Sequence, residues 1–167
     1  WKTEKAWHKL FPDQFFFELG RTVAWGIQPM VCNIREHLFD DPEFADIRRF
    51  TLDTARFYYG NRTFLFDGEM LSPSGFTCAT APVDFMVRMI FTKESQSRTI
   101  RKMMPAVLHS CWRAPGGEKA LILVNWTGKA IVVPRAALAE FLARPEAKAT
   151  GVYLLAGPDP DDPFRPI

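Results

Sequence analysis

Asn33, Arg35, Glu36 and His37 cluster where a short apolar run, residues 27–34, turns abruptly polar. Their side chains can do recognition chemistry. Arg and Asn present donors in fixed geometry, His can donate or accept, and a carboxylate can take a pair of hydroxyl groups. Together they suit a hydroxyl-rich ligand such as a sugar. The same residues also suit a solvated turn, because charged side chains beyond the end of a strand ordinarily face water.

The other chemistry-bearing residues have simpler explanations. Asp40-Asp41-Pro42 reads as a helix start, with an Asp cap and proline in the first turn, which leaves Glu36 as a single carboxylate rather than half of an acid/base pair. Glu18 lies in a strongly apolar helix and has Arg21 three positions on as an ion-pair partner. His8 and His109 are isolated from further ligands at metal-binding spacing, so no metal site is expected. Cys32, Cys78 and Cys111 are odd in number and widely spaced, and read as small apolar side chains rather than disulfides or zinc ligands. Trp112 and Trp126 could stack on sugar rings, but sheet-core packing explains them more cheaply. Asn61-Arg62-Thr63 and Asn125-Trp126-Thr127 fit the glycosylation sequon, a pattern frequent by chance. No dinucleotide fingerprint, P-loop, nucleophile elbow or zinc-protease motif occurs, and no cofactor is expected.

These residues need elements to hold them. Pro12 to Gly26 predicts a helix capped by Asp13 and stopped by Gly26, and its Phe15-Phe16-Phe17 run is too apolar for a water-facing surface. Residues 27–34 suit a buried strand of a parallel sheet, with Pro29 a mark against it. Asp40 or Asp41 then opens a second helix, with Phe44, Ile47, Thr51, Thr54 or Ala55, and Tyr58 on one stripe and Gly60 at its end. Beyond residue 60 the texture changes to short β-rich runs at 63–66, 83–91, 106–112, 120–126, 130–133 and 152–155. Tight turns at Pro115-Gly116-Gly117 and Thr127-Gly128-Lys129 predict a three-stranded meander over 104–133. A short helix over 135–143 and an irregular, proline-rich acidic tail over 157–163 complete the reading.

Composition narrows the classes. With 167 residues, 47% hydrophobic and 24% charged, the chain can build a packed core and lacks the signature of disorder. A net charge of +2 spread along the chain argues against a nucleic-acid partner. No apolar run of about 18 residues exists, so no helical membrane span is expected. The 14% aromatic share exceeds what a core this size usually needs, which points to a packing partner or an aromatic-lined ligand site. A doubly apolar strand over 27–34 needs neighbours on both sides, and residues 1–60 offer none, so the chain, which opens at Trp1 without Met, reads as a segment of something longer.

Three stretches carry a resemblance. Residues 15–34, with Ala24-Trp25-Gly26-Ile27-Gln28-Pro29, look like the penultimate helix and final strand of glycoside-hydrolase-like barrels. Phe66-Asp67-Gly68-Glu69-Met70-Leu71 is similar to the link into their accessory β-domain. Residues 107–117, which include Trp112-Arg113-Ala114-Pro115-Gly116-Gly117, followed by residues 120–127 ending in Asn125-Trp126-Thr127, resemble a hairpin of that domain. The resemblance spans about residues 14–135, in order, and contains no catalytic signature.

The fold expected is therefore α/β plus all-β: residues 1–60 as the last βα portion of a (β/α)8 barrel, and residues 61–167 as an antiparallel β-sandwich. The resemblance implies a parent glycoside hydrolase whose two carboxylates lie on earlier strands, with this segment inactive alone. Asn33, Arg35, Glu36 and His37 would line the substrate site, and the partners would be a carbohydrate and the remainder of the barrel or another subunit. A non-catalytic carbohydrate-binding module and a structural interaction domain are the competing expectations.

Overall fold

The computed structural model describes residues 11–30, 40–72, 75–87 and 98–133. Within them the protein is a mixture of helix and antiparallel sheet, the sheet divided into two small pieces.

Helix α1 runs Pro12–Ala24. Its cap position is Phe11, one residue before Pro12, with no side-chain cap; the expected cap, Asp13, lies instead inside the first turn, where its charge suits the helix dipole. The far end closes as predicted. Gly26 takes φ +66°, its N–H bonds to the carbonyl of Val23, and Ile27 N–H bonds to Thr22, the paired pattern of a left-handed glycine stop. Beyond it residues 27–30 are irregular, whereas the sequence predicts a strand there; Pro29, which offers no ladder donor, fits this outcome. The rest of that expected strand, residues 31–34, lies outside the described residues.

Asp41, rather than Asp40, is the cap of the next helix: its carboxylate accepts from Glu43 N–H at 2.9 Å and opens a 3-10 turn, Pro42–Phe44. This turn runs into α2, Ala45–Gly60. The expected strand at 63–66 is instead a short helix, α3, Arg62–Leu65. Phe64 and Leu65 N–H both bond to Asn61 carbonyl, so local helical bonds override the β-propensity of Thr-Phe-Leu-Phe.

The strands are β1 Glu69–Leu71, β2 Thr80–Val87, β3 Arg98–Pro105, β4 Val107–Arg113 and β5 Lys119–Asn125. One sheet has the order β1-β4-β5 and the other pairs β2 with β3, all antiparallel. The β4–β5 hairpin forms where the turn residues predict it, with Gly117 at φ +94°. The third strand of its sheet is nonetheless β1, because residues 130–133 pair with nothing among the described residues. The expected strand over 83–91 is found as β2; residues 88–91, the helix over 135–143, the strand over 152–155 and the acidic tail lie outside the described residues.

Strands β3 and β4 are separated by Ala106 alone, so one continuous stretch leaves the first pair and enters the other sheet at a corner. Two bonds fix the corner: Ala106 N–H to Ala79 carbonyl at 2.8 Å, and Trp126 Nε1–H to Pro105 carbonyl at 2.7 Å. On the outward side of β2–β3, Arg101 grips Asp84 through two nitrogens at 2.7 and 2.6 Å, which holds the Asp84 carboxyl below its usual range.

Helix α1 packs against both sheets and against α2. The phenylalanine run is covered on more than one side, as its composition requires: Phe16 meets Phe50 of α2 edge-on at 5.1 Å, while Phe17 meets Phe85 of β2 and Trp126 at 5.7 and 5.5 Å. A Cβ on Gly20 would sit 3.1 Å from Val124, so the helix backbone lies close on β5. Gln14 Oε1 accepts from Met86 N–H at 2.9 Å, satisfying a backbone donor of β2. The core thus joins residues from both sides of position 60.

Candidate functional site

Asn33, Arg35, Glu36 and His37 lie outside the described residues, as do His8 and Cys32. What is described is the frame on either side of the polar cluster. On the N-terminal side, Gly26 carbonyl accepts from Tyr58 Oη–H at 3.5 Å, and Gln28 Nε2–H donates to Tyr59 Oη at 2.9 Å, so the segment leaving α1 is tied to the end of α2. On the C-terminal side stands the Asp41 cap.

The three stretches that carry the sequence resemblance meet around one side chain, Trp112. A Cβ on Gly26 would fall 2.4 Å from the Trp112 ring and 2.7 Å from Leu65 carbonyl oxygen. Met70 is the cross-strand partner of Trp112, and Glu69 pairs with Arg113, with 3.2 Å between Oε2 and Nη1. Gly68 is equally confined, since a Cβ there would meet Phe64 and Arg113 carbonyl oxygens at 2.4 and 2.7 Å. Positions 26, 68–70 and 112–113 therefore form one junction, in which glycine is required at two points because backbone or a ring occupies the space of a side chain.

Trp112 and Trp126 are core residues, as expected. Both are buried; Trp112 Nε1–H donates to Ser110 Oγ at 2.8 Å, so each indole donor has an internal partner. Glu18 is paired with Arg21, whose guanidinium also lies over the Phe17 and Trp25 rings. His109 packs on Phe76 with ring centroids 4.8 Å apart, and burial pushes its pKa below the usual histidine value. Among the described residues no three His, Cys, Asp or Glu side chains gather as metal ligands, and no helix is long and apolar enough to cross a membrane. Cys78 and Cys111 are thiols, and Cys78 donates to Val107 carbonyl at 3.5 Å.

The asparagines of the two sequons have structural work. Asn125 Oδ1 accepts from Thr127 N–H and Oγ1–H at 3.0 and 2.8 Å, and its Nδ2–H reaches Lys129 carbonyl at 2.7 Å. Side-chain bonds thus shape the turn just after β5. Asn61 Nδ2–H similarly holds Phe57 carbonyl at 2.8 Å, closing α2. Asn125→Ala is expected to cost about 1–2 kcal/mol in a urea titration, since the turn loses these bonds together; an unchanged midpoint would show that the side chain does not hold the turn.

Two features escaped the sequence reading. Trp25, Tyr59 and Phe66, at the ends of α1, α2 and α3, are more than half exposed; Trp25 and Tyr59 directly precede Gly26 and Gly60, and Phe66 stands two residues before Gly68. The other is Asp53, buried on α2 next to the fully buried Thr54. Its only ion partner among the described residues is Arg56, at 3.7 Å, and Thr54 Oγ1 lacks a hydrogen-bond partner. Burial raises the Asp53 pKa, outweighing the nearby charges of Arg56 and Arg49.

A raised folded-state pKa means that Asp53 favours the folded protein when protonated. That contribution is complete below the unfolded pKa of 3.8 and is lost as pH rises through the higher folded value. Asp53→Asn is therefore expected to melt above the parent at pH 7 and to match it near pH 3.5, as read by thermal denaturation at both pH values. A lower melting temperature at pH 7 would contradict this.

Compared with models of known protein families, with curated proteins and with solved structures, the chain matches none.

Proposed function

We propose that this chain is the C-terminal part of a glycoside hydrolase, comprising the last βα portion of a (β/α)8 barrel over residues 1–60 and an accessory β-sandwich over residues 61–167. The observation that carries the reading is the meeting of its three resembling stretches at Trp112, with Gly26 and Gly68 admitted only because they lack side chains. Stretches far apart in sequence gain a common reason to look as they do if they build one junction between helix and sheet. Further support comes from the segment after α1, where Ile27 and Met30 are exposed, Met30 at 79%, although their residue types suit burial against neighbouring strands.

In this reading the chain stabilises the barrel, and Asn33, Arg35, Glu36 and His37 contribute one edge of the sugar site. The acid/base carboxylates belong to earlier strands. The test is the natural reading frame and the protein it encodes. At least about 200 preceding residues of alternating strands and helices are expected, and the full-length protein should hydrolyse a glycoside from an aryl-glycoside panel. In that protein Arg35→Ala should lower kcat/KM roughly ten- to hundredfold, the effect of losing one charge-assisted hydrogen bond worth about 1.5–3 kcal/mol. A frame beginning near Trp1 would overturn the proposal; an unchanged kcat/KM would remove Arg35 from the site.

The exposed Trp25, Tyr59 and Phe66 favour a second reading, a carbohydrate-binding module without catalysis. Glycan-array binding by this chain that disappears in Trp25→Ala would support the module, and an array without signal would reject it.

A further inference from the structure

We draw no further inference here: the strongest candidate, the exposed apolar patch of Trp25, Tyr59 and Phe66 where α1, α2 and α3 end, has nothing in the structure to show what covers it.

Discussion

Trp126→Ala is expected to lower stability by about 3–5 kcal/mol, the usual cost of truncating a buried aromatic residue and enough to unfold a marginal domain. Three roles converge on this side chain. It is only 2% exposed, its ring packs edge-on against Phe17 of α1, and its Nε1–H holds Pro105 carbonyl where the chain turns from β3 into β4. The replacement leaves a cavity between helix and sheet and a corner carbonyl without its indole donor. Trp126→Phe separates the contributions, because it retains most of the ring packing and loses the hydrogen bond, and it should cost about 1–3 kcal/mol. Urea titration monitored by circular dichroism reads both variants. A loss below about 1 kcal/mol for the alanine variant would mean that the corner is held by something other than this contact.

Gly26→Ala is the second large effect. The backbone at Gly26 has φ +66°, which costs an L-residue roughly 1–2 kcal/mol, and the added methyl group would strike the buried Trp112 ring and the Leu65 carbonyl. Neither obstacle is the free end of a flexible chain, so the two costs add and the expected loss is about 2–5 kcal/mol. Gly128 is the control. It has nearly the same φ, +67°, but open space where a Cβ would go, so Gly128→Ala should cost only the backbone strain, about 1–2 kcal/mol. Equal losses at the two positions would show that backbone strain alone matters and that the Trp112 junction tolerates an extra methyl.

The junction also bears on the proposed function. If the resembling stretches exist to join a helix of the barrel to the sheet beside it, disturbing Gly26 should harm stability before chemistry. Full-length Gly26→Ala that retains its folded fraction would then keep its kcat. The polar cluster at 33–37, by contrast, is where a substitution should alter turnover with little change in melting temperature.

Sequence reading succeeded where the deciding forces are local. The glycine stop of the first helix, the Asp-Pro start of the second and the β4–β5 hairpin depend on residues within about five positions of one another, through caps, left-handed glycines and turns, whereas the cap expected at Asp13 is not made. It succeeded for Trp112 and Trp126 as core residues because an indole between apolar strand residues has few other places to go. It missed β3, whose Arg98, Arg101 and Lys102 are exposed, because a strand carrying this much charge lacks the apolar alternation by which strands are recognised. It misread 63–66, where bonds back to Asn61 continue a helical path through residues of strand-forming type.

The sequence by itself settled composition class, the glycine stop of α1, the Asp-Pro start of α2, and the burial of Trp112 and Trp126. Only the tertiary structure decided that β1 rather than 130–133 lies beside β4, that the chain changes sheets at Ala106, and that Gly26 and Gly68 are confined by Trp112 and Arg113. The physical reason is range. A cap or a turn is a contract between near neighbours, whereas strand partnership and the burial of Asp53 depend on surfaces brought together from distant parts of the chain, and nothing in a local pattern specifies which surface arrives.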